Sequence, residues 1–576
     1  MLFECVHPSW TGFPTLESLD AMTPPRTLLA YSAPRSGFGD EWMTFLPIGL
    51  GYLQAMLKSR SFPCRLANLS GRGRPEILAY LKAQNPAVLG VSMFTFNRKR
   101  SYELLAWARL ACPQAILLAG GPHPTHLAEE VFEDCPALDA IVQGEGEAVL
   151  LGILERLQAA PDSDLWQRTP GLILREGRTL PQPPLEDLDA IGIPAEYLEA
   201  DFLNDVGQLA YLSTSRGCPA TCNFCNTPEF WGTSIRFRSA PSVLRELRLL
   251  RERHGLTYFS FRDDTFTANR GRVLELMAGI MGSGLHPLWN CQSRVNLVDE
   301  DRLVAMKRAG CEFMQFGVEH GSERVLALLD KGTDLRHARR ALDMVRKVGM
   351  NVGIYLITGI PGETWADVEE SAAFIRDTRP SDCQISPLAL YPGTRMFDQY
   401  RAEGRIRKDF YRASGDAEIF ARVDGHTEKA LRHLDQAAQR AKANSRFTPA
   451  EFAEQKRWLG FCAVTNLLCG ESAEEEDRWV EAEAEYAEVI AREPANPWGF
   501  LKRALLRDKR GQVDSARADL AEVLALAPGN PEATELAALW GLKRGKARSK
   551  KSAHGPTGVM KGSEAFLHKV GSGPDD

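Results

Sequence analysis

Apolar and polar positions alternate regularly over residues 26–158. Short apolar runs are separated by longer segments in which apolar residues recur every three or four positions. The first pattern predicts strands and the second predicts amphipathic helices. The predicted strands lie at 28–32, 65–69, 87–93, 115–119 and 138–142. Successive strand–helix units of this kind favour a doubly wound parallel sheet, a Rossmann-like α/β fold.

The same alternation returns with longer units over residues 208–400. The predicted strands lie at 209–212, 258–262, 288–294, 313–319, 352–358 and 384–391. Six such units are consistent with a partial (β/α)6 barrel of the TIM type. Polar residues gather where these strands end, and in such barrels those ends carry the chemistry.

Four other segments have different patterns. Residues 1–25 are expected to be unstructured, and the Pro-rich, acidic stretch 159–207 reads as an extended linker with a small hairpin. Residues 401–470 are charged and helical, and they form either a cap over the barrel mouth or an ordinary packing domain. Residues 546–576 have little apolar content and begin with basic residues, which predicts a disordered basic tail.

Residues 471–545 contain an internal repeat. The stretch 482–489 recurs at 516–523, and Pro494 recurs at Pro528, in each case 34 residues later. This is the period of tetratricopeptide repeats, in which helix pairs stack into a solenoid. The concave face of such a solenoid usually binds a protein or peptide. Self-association or simple capping of the neighbouring domain is an alternative.

Composition excludes several classes of protein. The chain has 576 residues, of which 25% are charged and 44% hydrophobic, as in ordinary globular proteins. A net charge of -6 gives no sign of nucleic-acid binding by the whole chain. No apolar run is long enough for a membrane span, and no secretory signal is visible. The 12 cysteines fit a reducing cytoplasm better than a disulfide framework.

Three of those cysteines stand close together after a predicted strand. Cys218, Cys222 and Cys225 have the spacing Cys-x-x-x-Cys-x-x-Cys. Three such thiolates can hold three irons of a [4Fe–4S] cluster, and the lack of a fourth leaves one iron open for a ligand. A zinc knuckle or simple buried thiols are the alternatives. No Cys or His follows closely to complete a zinc site, because the next cysteine is Cys291.

This motif, with the aromatic Phe224 before its third cysteine, resembles that of radical S-adenosylmethionine enzymes. The resemblance implies that the open iron binds the amino and carboxylate groups of S-adenosylmethionine. Electron donation from the cluster then cleaves the sulfonium and yields a 5′-deoxyadenosyl radical. A donor such as flavodoxin or ferredoxin is implied as a partner.

The resemblance also implies which residues contact S-adenosylmethionine. A carboxylate at a strand end is about as often a salt bridge or a helix cap, and Asp264 could merely cap the next helix. Glu319 matches the family pattern best, because it ends a Gly-Val-Glu strand. The implied contacts are Phe224 and the Gly359 and Gly362 segment for adenine, Glu319 for ribose, Asp263 or Asp264 for the amino group, and Ser293 and Arg294 for the carboxylate.

The first domain is similar to the cobalamin-binding domain that precedes many radical enzymes of this type. The similarity rests on its position, on the segment 47–52 and on the loops that follow its predicted strands. Glycines in those loops permit close approach of backbone to a ligand. The implied cobalamin contacts are Ser92, Thr95, Gly120, Gly121, Pro122, His123, Gly144, Glu145 and Gly146.

One departure from other cobalamin proteins concerns the lower face of cobalt. No Asp-x-His-x-x-Gly segment occurs in the chain. The resemblance therefore implies cobalamin without a histidine beneath the cobalt, a face left open or shielded by loop residues after Ser32 or Ser92. His123 is expected to be a hydrogen-bonding loop residue rather than a ligand.

Together the two resemblances imply a cobalamin-dependent radical methyltransferase. It would methylate an unactivated carbon of a small-molecule or peptide substrate through the 5′-deoxyadenosyl radical and methylcobalamin. A radical cyclase or rearrangement enzyme without methyl transfer is the alternative within the enzyme class. An inactive barrel that serves the repeat region as a scaffold or adaptor is the alternative outside it. No catalytic acid or base is assigned, and the substrate is not identified.

Overall fold

The structure is a computed structural model. It describes residues 24–34, 41–159, 165–203, 205–407, 409–413, 415, 419–421 and 424–542. Most of the predicted unstructured amino terminus and all of the predicted basic tail therefore lie outside the described residues. No helix in the described part of the chain is both long and apolar enough to span a membrane.

The first sheet has eight strands, in the order β7-β6-β5-β4-β3-β1-β2-β8. Strands β1 to β5 and β8 are parallel, and β6 and β7 form the predicted hairpin and add in antiparallel orientation. Residues predicted as a linker thus extend both edges of this sheet. The strands are β1 (Thr27–Tyr31), β2 (Cys64–Asn68), β3 (Val88–Ser92), β4 (Ile116–Gly120), β5 (Ala140–Val142), β6 (Leu172–Leu174), β7 (Gly177–Arg178) and β8 (Ala200–Asp201).

Both faces of this sheet are covered by helices, as a doubly wound fold requires. Alternate residues of β1 divide between two cores: Leu28 packs with α2, α3 and α5, and Leu29 packs with α1 and α6. Because both faces are buried, the central strands are almost continuously apolar. The helices are α1 (Ile48–Ser59), α2 (Arg74–Gln84), α3 (Arg98–Ala111), α4 (Pro122–His126), α5 (Ala128–Asp134), α6 (Glu147–Ala159), α7 (Leu165–Arg168) and α8 (Pro194–Tyr197).

The second large sheet is a curved parallel sheet of six strands, in the order β16-β15-β14-β13-β12-β9. It confirms the six predicted strand–helix units, although the first strand is shorter than predicted because a 3-10 helix occupies Val206–Ala210. A separate two-stranded ribbon joins β10 and β11. The strands are β9 (Tyr211–Leu212), β10 (Ser215–Arg216), β11 (Arg236–Phe237), β12 (Tyr258–Phe261), β13 (Leu288–Ser293), β14 (Cys311–Glu319), β15 (Asn351–Thr358) and β16 (Asp382–Pro387).

Helices cover the outer face of this partial barrel. Several begin at a polar cap: the side chains of Asn269, Asp299 and Asp334 each accept a hydrogen bond from a backbone N–H in the first turn of the helix. The helices of this region are α9 (Thr227–Trp231), α10 (Ala240–His254), α11 (Arg270–Gly282), α12 (Glu300–Arg308), α13 (Glu323–Leu328), α14 (Leu335–Val348), α15 (Trp365–Thr378), α16 (Arg395–Ala402), α17 (Phe410–Ala413) and α18 (Gly425–Ala443). Of these, α9, α16 and α17 lie on the side of the cysteine loop rather than on the outer face.

The carboxyl-terminal helices pack against the amino-terminal ends of the barrel strands. The Asn530 side chain donates hydrogen bonds to the Gly255 carbonyl oxygen and the Thr257 hydroxyl, just before β12. Leu288, the first residue of β13, belongs to the core of these helices. The helices are α19 (Pro449–Leu459), α20 (Ala463–Glu475), α21 (Trp479–Arg492), α22 (Pro497–Lys509), α23 (Val513–Leu526) and α24 (Pro531–Leu539).

Residues 401–470 divide between two places in the fold. The described residues of 401–421 pack with Leu390, which follows β16, and with Phe224 of the cysteine loop, at the end of the barrel where the cysteines lie. Helix α18 completes the outer helical layer beside β16 and α15, because its alanine and leucine face packs into the barrel core. Helices α19 and α20 lie at the opposite end of the barrel from the cysteines. The pairs α21–α22 and α23–α24 begin 34 residues apart, the repeat spacing found in the sequence.

Candidate active site

The cysteine loop begins where the small ribbon of β10 and β11 turns the chain. Gly217 follows β10 with a φ of +98°, and a Cβ at this position would lie 2.3 Å from the Ser234 carbonyl oxygen. Only glycine combines this backbone conformation with so close an approach. The turn brings the Cys218 sulfur to 3.2 Å from the Thr265 hydroxyl, at the carboxyl end of β12.

A buried carboxylate fixes the start of this loop. The Oδ1 atom of Asp263 accepts the backbone N–H groups of Thr214, at 2.5 Å, and Ser215, at 2.8 Å. Its Oδ2 atom accepts the Thr214 hydroxyl. Hydrogen bonds to a charged acceptor are the strong ones in proteins. Asp263 is 1% exposed and does not line the cavity at the cysteines, so its position is that of a loop anchor rather than a ligand contact.

All three cysteines line one cavity of about 180 Å³ at the mouth of the barrel. The Cys222 sulfur receives a hydrogen bond from the Arg294 guanidinium at 3.4 Å, and a second nitrogen of Arg294 donates to the Lys331 carbonyl oxygen at 2.7 Å. Burial raises the pKa of Cys225. A thiol in such surroundings ionises readily only when a metal takes the place of its proton.

Polar side chains from four barrel strands complete the cavity. Glu319 ends β14 with a φ of +73°, at an irregularity in the pairing with β15. Its Oε1 atom accepts a hydrogen bond from the Lys331 ammonium at 2.6 Å. Lys331 was not predicted from the sequence. The predicted contact residues that line the cavity are Phe224, Asp264, Ser293, Arg294 and Glu319.

Asp264 lies beside the cysteine loop. Its carboxylate accepts a hydrogen bond from the Thr227 hydroxyl at 3.0 Å. Desolvation by the surrounding residues, together with the negative charge of Asp263, raises the pKa of Asp264 to about 6, although its side chain remains accessible through the cavity. It does not cap the next helix, since Asn269 occupies that position. Asp264 is thus the member of the Asp263–Asp264 pair that can meet a ligand.

The segment with Gly359 and Gly362 lies outside this cavity. Its conformation is organised by Glu363, which is buried and accepts hydrogen bonds from the Gly359 N–H at 2.8 Å and from the Thr358 hydroxyl at 2.9 Å. His320 lies 3.0 Å from the same carboxylate and helps to hold the pKa of Glu363 below its usual value, against the larger effect of burial. The adenine contact predicted for these glycines remains a prediction.

The amino-terminal sheet meets the barrel through buried charges. Arg216, two residues before the first cysteine, contacts Glu145 at 3.1 Å and also contacts Glu147. Arg236 also pairs with Glu145. All four side chains are at most 8% exposed. The Gly144–Glu145–Gly146 loop, predicted to contact cobalamin, is therefore in direct contact with the cysteine loop.

Family models match both parts of this arrangement. A model of the radical SAM superfamily matches residues 212–375, and a model of the B12 binding domain matches residues 43–154. An uncharacterized methyltransferase of Pyrococcus horikoshii is 30% identical over 359 residues, which cover 61% of this chain and 78% of that protein. The chain belongs to the cobalamin-dependent radical S-adenosylmethionine family.

Other proteins are similar to this chain in sequence or in fold. An anaerobic magnesium-protoporphyrin IX monomethyl ester cyclase of Rubrivivax gelatinosus is 25% identical over 398 residues, 65% of this chain and 70% of the cyclase. The radical S-adenosylmethionine methyltransferase TsrM from Kitasatospora setae has a similar fold, with a TM-score of 0.58 and 17% identity over 74% of this chain and 90% of TsrM. The predicted fold class is confirmed, as is the prediction of an enzyme with a [4Fe–4S] cluster, S-adenosylmethionine and cobalamin as cofactors.

The cavity of this radical enzyme fits a cluster with one open iron. Three cysteines line it, and the described residues that line it include no fourth cysteine. In the described part of the chain, no three His, Cys, Asp or Glu side chains lie close enough together to hold a single metal ion. Arg294, Lys331 and two carboxylates supply the opposite charges that an amino acid group needs.

The cobalamin domain of the enzyme has its own cavity, of about 370 Å³. It lies beyond the carboxyl ends of β1 and β2, beside the point where the strand order reverses between β1 and β3, which is where doubly wound sheets bind ligands. Arg72, Lys99, Arg100 and Glu103 line it, and this charged, polar lining suits the amide and phosphate groups at the periphery of a corrinoid.

None of the nine predicted cobalamin contacts lines that cavity; they lie at the ends of β3, β4 and β5. Among them, Pro122 and His123 begin helix α4 rather than forming a loop, and Gly121 packs against the Met93 carbonyl oxygen. His123 is 1% exposed and stacks edge-on against Tyr411, with Thr95 at 3.3 Å from its Nδ1 atom. The contacts of these residues with cobalamin remain predictions.

His123 is expected to make the enzyme sensitive to acid. Burial lowers its pKa to about 3 from a usual value of 6.5. As the pH falls below 6.5, the unfolded chain takes up a proton that the folded chain excludes, so stability decreases. Between pH 6.5 and pH 5 the free energy of unfolding of the wild-type chain should decrease by about 1.5–2 kcal/mol more than that of the His123→Gln variant. Urea unfolding at both pH values measures this difference.

The exposed His337 provides the control. A His337→Gln variant leaves His123 in place and should lose stability between the two pH values as the wild type does. An equal loss in the wild type and in His123→Gln would show that His123 does not exclude the proton.

Proposed function

We propose that this enzyme transfers a methyl group to an unactivated carbon of a small molecule by a radical reaction. The observation that carries the proposal is the position of the cysteine cavity. It lies at the carboxyl ends of the barrel strands, and the loop that forms it is ion-paired to the cobalamin domain through Arg216. The cluster and cobalamin would supply one-electron cleavage of a sulfonium and carriage of a methyl group, respectively.

The residues of the cavity have distinct roles in this proposal. Arg294 and Ser293 suit the carboxylate of the methionyl group, and Asp264 suits its ammonium. Lys331 orients Glu319 through their 2.6 Å contact, which leaves the second carboxylate oxygen of Glu319 for the ribose hydroxyls. Arg294 also donates to the Cys222 sulfur, so one side chain links the metal ligand and the bound amino acid group.

The experiment is turnover with S-adenosylmethionine that carries a trideuterated methyl group. The full chain, reconstituted under anaerobic conditions with iron, sulfide and cobalamin, is mixed with reductant and with low-molecular-weight extracts or candidate substrates. We expect release of 5′-deoxyadenosine and a product that carries the labelled methyl group. Transfer of label without 5′-deoxyadenosine would contradict a radical route.

Cyclisation or another radical rearrangement is the second candidate. Its support is the similarity to the cyclase of Rubrivivax gelatinosus. The two candidates differ in the fate of the methyl group, because a cyclase forms its product without incorporating the label. A product that lacks label but forms together with 5′-deoxyadenosine would favour this candidate.

The proposed chemistry also bears on the cellular compartment and the partners of the enzyme. We infer a cytoplasmic enzyme, since an oxygen-sensitive cluster and 12 cysteines suit a reducing compartment. A small electron carrier such as flavodoxin or ferredoxin would reduce the cluster. The paired helices α21–α24 would bind a protein or peptide. Pull-down from reduced extracts with and without residues 471–545 would test this last role.

A further inference from the structure

The inside of the barrel is polar. TIM-type barrels are usually filled with Val, Ile and Leu. In this enzyme most of those strand residues belong to the helix-facing core, and hydrogen bonds join side chains across the interior. The Ser260 hydroxyl donates to Asn290 at 2.6 Å, and Gln292 donates to the Tyr355 hydroxyl at 2.7 Å. Gln292 and Tyr355 also line the cysteine cavity, so the polar interior is continuous with the active site.

A guanidinium projects into this interior. Phe259 and Phe261 of β12 belong to the helix-facing core, so the alternation of the strand turns Arg262 inward. The Arg262 guanidinium carbon lies 4.9 Å from the centre of the Tyr211 ring. The Arg262 charge acts to lower the pKa of Tyr355, against the larger effect of burial, so the guanidinium lies near that hydroxyl. Burial raises the pKa of both tyrosines, so their hydroxyls are protonated at neutral pH and can donate.

Arg262 differs from three other arginines near the active site. Arg216, Arg236 and Arg238 each contact a glutamate within 4.0 Å. Among the residues that the structure describes, no carboxylate lies within that distance of Arg262. A half-buried guanidinium without a counter-ion is costly for a folded protein. A guanidinium has five N–H donors, so donors beyond those that face the two tyrosines can meet an anionic ligand.

A second unsatisfied group lies on the neighbouring strands. Gln384 of β16 pairs in register with Tyr355 of β15. Its Oε1 atom is buried and has no hydrogen-bond partner in the described structure. A buried acceptor of this kind is normally satisfied. A ligand N–H or O–H would satisfy it.

We propose that the substrate is a small anion whose carboxylate or phosphoryl oxygens bind Arg262 between Tyr211 and Tyr355, with a donor group of the substrate facing Gln384. This inference rests on the proposed function, because it assigns the substrate class of the same site. Tyr355 contacts both the anion position and the cysteine cavity. The anion would therefore anchor one end of the substrate and direct the other toward the bound S-adenosylmethionine.

The test is ligand-observed NMR with three probes: phenylphosphonate, benzoate and the neutral benzamide. The full chain carrying its cluster should bind at least one of the two anions and bind benzamide weakly. Arg262→Gln should weaken binding of that anion by about 10- to 100-fold, the effect of losing charge-assisted hydrogen bonds. Arg262→Lys should give an intermediate loss of anion affinity, since lysine retains the positive charge but lacks the planar guanidinium that donates two parallel hydrogen bonds. Whichever anion binds more tightly identifies the group as phosphoryl or carboxylate.

The controls separate this inference from the proposed function. Arg336→Gln changes a side chain that is 90% exposed and should leave anion binding intact. If Arg262→Gln does not fold, Gln384→Glu provides the same test, because a carboxylate beside the site should repel the anions. The inference would be overturned if each anion bound the Arg262 and Gln384 variants as tightly as it binds the wild type. It would also be overturned if the wild type bound neither anion. Release of 5′-deoxyadenosine by that same wild type would leave the proposed function standing.

Discussion

Cys218→Ala should abolish almost all reductive cleavage of S-adenosylmethionine. The three cysteines line one cavity, and the described lining contains no further cysteine that could replace one of them. Loss of one thiolate would leave two irons without a protein ligand. We expect formation of 5′-deoxyadenosine to fall by roughly 10³-fold or more, beyond the 10–100-fold loss typical of residues that only support a metal ligand. After anaerobic reconstitution, iron analysis measures the loss of the cluster, and quantification of 5′-deoxyadenosine measures the loss of cleavage.

Cys469→Ala is the matched control. Cys469 lies in α20, at the opposite end of the barrel, where its sulfur contacts Glu485 at 3.5 Å. This variant should bind iron and form 5′-deoxyadenosine as the wild type does. Full iron content and activity in Cys218→Ala would disprove the cluster assignment. Stoichiometric zinc in the oxygen-free wild type would disprove it as well.

The fold could be predicted from the sequence because each sheet has a distinct pattern. Strands buried on both faces give short apolar runs, and the helices between them give an apolar stripe, so the sequence alone predicts the alternation of strands and helices. The cluster motif could be predicted as well, because its three cysteines lie within one loop. Glu319 could be found because it ends a recognisable strand and because a strand end is where a barrel places its functional groups.

Other features of the site and the fold could not be predicted from the sequence, because they depend on contacts between distant segments. Lys331 lies 12 residues beyond Glu319 after a short helix, and only the fold brings its ammonium to the carboxylate. Strand β8 has two residues and adds to the sheet far from β2 in sequence, so no local pattern marks it. The position of the carboxyl-terminal helices depends on Asn530 meeting Gly255, a pairing separated by 275 residues.

Asp263 and Asp264 illustrate this limit most clearly, because the sequence could not tell them apart. Adjacent residues at the end of a strand point in opposite directions. One carboxylate therefore turns back to the loop backbone, and the other turns to the cavity. Both were candidates for the same ammonium group. Their different hydrogen-bond partners predict different consequences of mutation.

Asp263→Ala should release the start of the cysteine loop. The substitution leaves the buried N–H groups of Thr214 and Ser215 without acceptors, and each such loss to a charged acceptor costs about 1.5–3 kcal/mol. Opening of the loop should therefore become easier by about 3–6 kcal/mol, and amide hydrogen exchange in residues 211–217 should accelerate by roughly 100-fold or more. Mass spectrometry of the corresponding peptide measures this rate. Iron retention should fall with it, since the first cysteine follows directly.

Asp264→Ala is the control for the same prediction, one residue away. Its carboxylate contacts the Thr227 hydroxyl and no backbone N–H of the loop, so hydrogen exchange in residues 211–217 should remain as in the wild type. Its effect should be a higher KM for S-adenosylmethionine, because it lines the cavity. Asp263→Asn should lie between wild type and Asp263→Ala in exchange rate, since an amide oxygen still accepts both N–H groups but without charge. Slow exchange in Asp263→Ala, or fast exchange in Asp264→Ala, would show that the anchor of the cysteine loop lies elsewhere.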